Sequence, residues 1–234
     1  MDSHLTWWES AGDADEPRDP VLLLVVADDP DAVSVLPPDH GSRWREQTLA
    51  GKTATARVAG HLGVPILFAE GGEVPAGHDL ILIGEVGRGM TSLASQVACT
   101  HLNAEPQMVV GFGSGITDIE WMHKVAMVRD RCRPGPGVPP VPEPVSHMAA
   151  LLTSAADTGV PVLIDGAASA AAAIVAERRP SLQAPVLGDE PAQRVLLDHL
   201  DVGPWGAGGI GPGHGLGALC GLAMLRLSLL AADV

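Results

Sequence analysis

The sequence has no tyrosine, two phenylalanines and five tryptophans in 234 residues. A core built from it must be aliphatic, and the flat rings on which single-stranded nucleic acid stacks are nearly absent. Basic residues are also scarce: 14 Lys and Arg face 28 Asp and Glu, for a formal net charge of −14. That balance opposes a phosphate-backbone partner and an anionic membrane surface, so neither nucleic acid nor a membrane is expected. A single phosphate can still rest on backbone N–H groups at a helix start. Three cysteines, Cys99, Cys132 and Cys220, are too few and too far apart for a disulfide framework or a zinc motif. No metal is expected, and a reducing cytoplasm suits such a chain. Apolar stretches meet Gly or charge before reaching membrane-spanning length. The N-terminus "MDSHLTWWESAGDADEPRDP" lacks the basic and apolar regions of a signal peptide.

What is present is aliphatic and rhythmic. Apolar residues make up 46% of the chain, which marks it as globular. Short continuous apolar runs occur at Val21–Ala27, Val64–Ala69, Leu80–Ile83, Met108–Val110, Val160–Ile164 and, weakly, Pro185–Leu187. Such runs suit parallel strands covered on both faces. Between them lie helix-period segments at Arg43–Leu62, Thr91–Leu102, Asp118–Arg131, Val145–Ala156, Ala167–Arg178, Ala192–Leu200 and His214–Ala231. The alternation predicts a three-layer α/β fold, a doubly wound and mostly parallel sheet with helices on both faces. The Pro-rich stretch 133–144 reads as an extended connector inside one domain spanning 21–234, and residues 1–20 read as a loose leader.

In open α/β sheets, ligands sit beyond the carboxyl ends of the strands. Several runs are followed there by glycine or small polar residues: "DDPD" at Asp28–Asp31, "GEVGRGMTS" at Gly84–Ser92, "GFGSGITD" at Gly111–Asp118, "DGAAS" at Asp165–Ser169 and "GAGGIGPGHGLG" at Gly206–Gly217. The second lacks the Lys of a P-loop and has the wrong spacing for a dinucleotide fingerprint. Singly, each has a plain structural reading: a tight turn, a helix cap at Thr117–Asp118, a solvated Lys124. Together, two glycine-rich loops that each open a helix, with Glu85 and Lys124, describe a site for a phosphorylated sugar.

These residues resemble the nicotinate-nucleotide:dimethylbenzimidazole phosphoribosyltransferase family. That family's signature G-E-M-G-I-G-N-T-T is similar to "GEVGRGMTS", and V-V-G-x-G-T-G-I-D-D to "VVGFGSGITD" with Lys124 in the helix beyond. V-P-V-L-L-D-G-F-I-S-T-A-A-A is similar to "VPVLIDGAASAAAA" at Val160–Ala173, and S-A-E-P-G-H more weakly to "GDEPAQ" at Gly188–Gln193. The resemblance runs from about Val21 to the C-terminus. It implies transfer of 5-phosphoribose from nicotinate mononucleotide to an azole such as a benzimidazole, with no cofactor, in a homodimer. It assigns Glu85 to the positive charge that develops at C1′ and Lys124 to the phosphate. It makes Asp29, Gly84, Gly87, Gly89, Thr91, Ser92, Gly111, Gly113, Ser114, Gly115, Asp118, Asp165, Gly166, Ser169, Gly211 and Gly213 candidate substrate-binding residues.

The departures fall at the base-accepting end. The family's last motif, L-G-E-G-T-G-A, carries the Glu that takes the azole proton, and Pro212 stands at its place in "IGPGHGL". The family's G-D-H-G turn becomes "DDPD", Met90 replaces an Asn, and much of the preceding helical segment is missing. His214 is a candidate substitute base, since an imidazole near its ordinary pKa of about 6.5 accepts a proton at neutral pH; a helix-start His with no catalytic role is the competing reading. A relative that binds a nucleotide or azole without turnover is therefore the alternative to an active transferase. A short-chain dehydrogenase is disfavoured, because the chain has no Tyr for its Tyr-x-x-x-Lys pair. Apolar surface left bare by the missing helices is expected to be covered by a second copy.

Overall fold

The apolar run at Val21 becomes a strand because both of its faces find cover. In the computed structural model, which describes residues 3–11, 15–133, 140–207 and 213–232, the chain runs α1 (Ser3–Ser10), β1 (Pro20–Val26), α2 (His40–Leu49), α3 (Ala54–Leu62), β2 (Ile66–Phe68), β3 (Leu80–Val86), α4 (Met90–Leu102), α5 (Pro106–Val109) and α6 (Asp118–Arg131). It continues α7 (Glu143–Thr158), β4 (Val162–Ile164), α8 (Ala167–Val175), β5 (Leu182–Gln183), β6 (Val186–Leu187), α9 (Pro191–Leu200), β7 (Gly206–Ala207) and α10 (Leu216–Ala232). The main sheet has the order β2-β1-β3-β4-β5, with every pairing parallel.

Side chains alternate across the sheet with period two. Val21, Leu23, Val25, Ile81 and Ile83 pack into one core with α4, α7, α8 and α9. Leu22, Leu24, Leu80 and Leu82 pack into the other with Trp7 and Trp8 of α1, Ala59 of α3 and Leu219, Leu222 and Leu225 of α10. The expected three-layer, doubly wound parallel sheet is the observed architecture. The chain steps from β1 outward to β2 and returns to the other side of β1 as β3, so a crevice opens beyond the ends of β1 and β3.

Several expectations change. Met108–Val110 is not a strand: Pro106 opens the short helix α5 instead, and both edges of β3 are already taken by β1 and β4. Arg43–Leu62 is two helices, broken at Gly51, whose φ is +71°, with Thr53 capping α3 through a bond from the Ala56 N–H at 3.2 Å. Pro185–Leu187 pairs in a separate ribbon with β7, not in the main sheet. The leader is not wholly loose. Residues 3–10 form α1, and Trp8 is fully buried with its indole N–H donating to the Asp15 carbonyl at 2.8 Å. Of the connector at 133–144, residues 134–139 lie outside the described residues, and α7 begins at Glu143.

Candidate functional site

β3 runs three residues beyond its apolar stretch. Glu85 and Val86 pair with Val25 and Val26 of β1, so the carboxylate read as part of a turn stands on a strand. Glu85 is 5% exposed. Its Oε2 accepts the Ser169 N–H at 2.6 Å, and the N–H groups of Ala167 and Ala168 reinforce it. The carboxylate thus sits on the first turn of α8, where free N–H groups and the helix dipole favour negative charge. Gly166, with φ +109°, makes room: a Cβ there would lie 2.6 Å from Glu85 Cδ. Burial outweighs the three donors and raises the Glu85 pKa from 4.5 to about 7, with nearby Glu190 pushing the same way.

Gly84 and Gly87 serve backbone contacts. A Cβ on Gly84 would strike the backbone of Gly215, and one on Gly87 the carbonyl of Ala27. A bulky residue at Gly87 would therefore break the β1–β3 junction itself, not merely fill a ligand space. Gly113 differs: a Cβ there would point at Lys124 Nζ, 3.1 Å away, and at Thr91 Oγ1, 3.4 Å away. Lys124 comes from α6, whose start is fixed by a capping box between Thr117 and Glu120. It is 2% exposed, and Nζ donates to Thr91 Oγ1 at 3.0 Å and to the Gly111 carbonyl at 2.9 Å. Burial lowers its pKa while Glu190 opposes that shift.

Glu85, Gly87, Gly89, Thr91, Gly113, Ser114, Lys124, Gly213 and His214 line one cavity of about 290 Å³ at the crevice between β1 and β3. His214 closes one end. Its φ is +56°, its N–H donates to the Glu85 carbonyl at 2.9 Å, and its own carbonyl accepts from Thr55 Oγ1 at 2.9 Å. The ring stacks on Trp44 with centroids 5.1 Å apart. Burial and the adjacent His40 push its pKa down to about 4. The expected titration near 6.5 is displaced: across the neutral range this imidazole is uncharged and keeps a lone pair.

Other candidates stand elsewhere. Asp29 is held by Arg131 at 2.7 Å and lines a different cavity. Asp165 is buried and accepts the Gly217 N–H at 2.9 Å, so it anchors the start of α10; burial holds its pKa well above the carboxylate range. Asp118 lines a neighbouring cavity and is exposed, as is Gly115. Ser92 is buried within α4, and Gly111 and Ser169 act from behind the cavity wall through their backbone groups. Gly211, like Pro212, lies outside the described residues. Residues not foreseen also line the cavity, chiefly Glu190, Gln193, His40 and Ser34. Glu190 lies in "GDEPAQ", whose likeness to a family motif was its only signal. Among the described residues, no group of three His, Cys, Asp or Glu could hold a metal ion.

The raised Glu85 pKa has a stability consequence. Below pH 4.5 the carboxyl is protonated in both folded and unfolded chains, and no difference arises. Between 4.5 and about 7 the unfolded chain releases the proton while the folded chain keeps it, so stability falls as pH rises through that window. Glu85→Gln removes this contribution. Urea unfolding at pH 5 and pH 8 should show the variant gaining about 2–3 kcal/mol on the wild type between the two. A gap that stays constant would mean that Glu85 ionises like a solvated carboxylate.

The profile of a phosphoribosyltransferase family matches residues 69–233. The nicotinate-nucleotide–dimethylbenzimidazole phosphoribosyltransferase of Mycobacterium ulcerans (strain Agy99) is 36% identical over 175 residues, covering 68% of this chain and 48% of that protein. The enzyme of the same name from Mycobacterium tuberculosis is 36% identical over 178 residues, with the same coverage of both. The chain thus spans about half the length of these relatives. The crystal structure of CobT from Thermus thermophilus superposes with a TM-score of 0.80 at 21% identity, over 92% of this chain and 83% of that one. With a family profile over most of its length and relatives at 36% identity, the chain belongs to the phosphoribosyltransferase family.

Proposed function

We propose that the protein moves 5-phosphoribose from nicotinate mononucleotide to a benzimidazole or related azole, in cobalamin lower-ligand nucleotide synthesis or a related pathway. The observation that carries this reading is the placement of Glu85 and Lys124 on one small cavity between two glycine-rich helix entries. The names of the mycobacterial relatives point to the same pair of substrates.

The chemistry follows from charge. Nicotinate leaves C1′ with the bonding electron pair, and C1′ becomes cationic. A fixed carboxylate beside it stabilises that charge as it forms. Glu85 supplies the carboxylate, already oriented by the α8 N–H groups. Lys124 Nζ and the α4 entry hold the phosphate. The azole nitrogen forms the new bond to C1′ and gives up its N–H proton. The neutral imidazole of His214 is the candidate acceptor. Pro212 favours a second reading, a binding protein that kept the pocket and lost the chemistry, because the resemblance places the general base at that position.

Incubation with nicotinate mononucleotide and dimethylbenzimidazole should release nicotinate. Lys124→Met should lower kcat/KM by about 10- to 100-fold, the usual loss for a hydrogen bond to a charged group. Activity should fall as pH drops through about 7, where Glu85 takes up its proton, and no separate step should appear near 6.5, because His214 stays neutral down to about 4. Pro212→Glu should raise a slow rate by about 10²-fold. An inert wild type that stays inert as Pro212→Glu, yet binds nicotinate mononucleotide, would establish the binding protein instead.

We also propose a cytoplasmic homodimer. The three cysteines are unpaired, as a reducing compartment requires; recovery from an oxidising compartment would contradict it. Met224, Leu227 and Leu230 are exposed on α10, and Ile119 and Met122 on α6, apolar surface that a second copy would cover. Light scattering at micromolar concentration should report the mass of two chains, and a monomer would end this proposal.

A further inference from the structure

Two cysteines that stand far apart in the sequence come together in the fold. Cys99 lies near the end of α4, and Cys132 closes α6 as its C-cap residue. Cys132 Sγ sits 3.7 Å from the Gln96 carbonyl of α4. A helical side chain leans back toward the N-terminus of its helix, so Cys99, one turn beyond Gln96, leans over that same turn. The two thiols are there in hydrogen-bond contact with each other. Both residues are partly exposed, and neither is in a disulfide. The third cysteine, Cys220, stands on α10 near Asp165.

The charges around the pair are unequal. Arg131 stands beside Cys132, and Glu105 faces Cys99. The Cys99 S–H and the Arg131 guanidinium hold the Cys132 thiol below its usual range, against burial. The contact with Cys132, burial and Glu105 push the Cys99 thiol up. Cys132 is therefore the nucleophilic sulfur and Cys99 the thiol that donates to it. We infer that Cys132 and Cys99 form a peroxide-reactive dithiol whose oxidation to a disulfide ties α4 to α6. The Cys132 thiolate attacks one oxygen of hydrogen peroxide, the O–O bond breaks, and hydroxide departs to leave a sulfenic acid on Cys132. The Cys99 sulfur then displaces the sulfenic hydroxyl as the S–S bond forms, and its proton leaves with that hydroxyl as water. In sum, two thiols and one peroxide give one disulfide and two waters. The bridge would enclose α5, the loop Gly111–Gly115 and Lys124, whose Nζ already joins α6 to α4 through Thr91. This inference is independent of the phosphoribosyl reading of the cavity.

The test is to expose the reduced full chain to hydrogen peroxide, count its thiols in denaturant and map its peptides without reductant. Wild type should lose two of its three thiols, with Cys99 and Cys132 joined within one chain and Cys220 left free. Cys220→Ser should form the same bridge. Folded Cys99→Ser should stop at a sulfenic acid on Cys132, which dimedone captures as an adduct at that residue. Folded Cys132→Ser should keep both remaining thiols under the same exposure. Glutathione added afterwards should restore the wild-type thiols. Three thiols surviving an exposure that oxidises most of an equal concentration of glutathione would overturn the inference. So would a bridge that includes Cys220 or joins two chains, or a Cys132→Ser chain that loses thiols as fast as wild type.

Discussion

A carboxylate buried at the start of a helix organises this molecule. Glu85 has left water almost completely, and the N–H groups of the first turn of α8 replace the solvent it lost. The surrounding glycines follow from that choice. Gly166 must lack a side chain for the carboxylate to reach the helix, and a Cβ on Gly213 would lie 3.0 Å from the Glu85 carbonyl. His214 bonds to that same carbonyl, so one residue of β3 fixes both the floor of the cavity and its far end. The exchange is incomplete, as the pKa near 7 records. A carboxylate held short of full stabilisation gains most when a cation forms beside it.

The sheet topology supplies the rest. Because the chain reverses direction across the sheet between β1 and β3, the loops that follow these strands diverge and leave a crevice. Glycine packing then draws distant segments toward it. The α10 entry lies on β3 through Gly84 and Gly215, and Lys124 reaches back from α6 to the entry of α4. Residues separated by more than a hundred positions thereby share one small cavity.

Much of this was readable from residue order, and the failures have physical causes. Continuous aliphatic runs marked β1, β3 and β4, because a strand buried on both faces has no polar side to interrupt it. The same feature misassigned Met108–Val110, since three apolar residues carry no period and Pro106 decided for helix. Two buried tryptophans hidden in a polar segment concealed α1. Asp29 and Asp165 stand at strand ends like binding residues, but Arg131 takes one and the α10 entry takes the other. Glu190 went unassigned for the opposite reason: its place on the cavity, beside Gly113 and Lys124, is created only by folding.

The position of a bound phosphoribosyl ligand is the decisive quantity. A crystal structure with nicotinate mononucleotide should place the phosphate on Lys124 Nζ and the entry of α4, with C1′ facing the Glu85 carboxylate. Ligand density outside the cavity of Glu85 and Lys124, or a sugar ring turned away from Glu85, would contradict it.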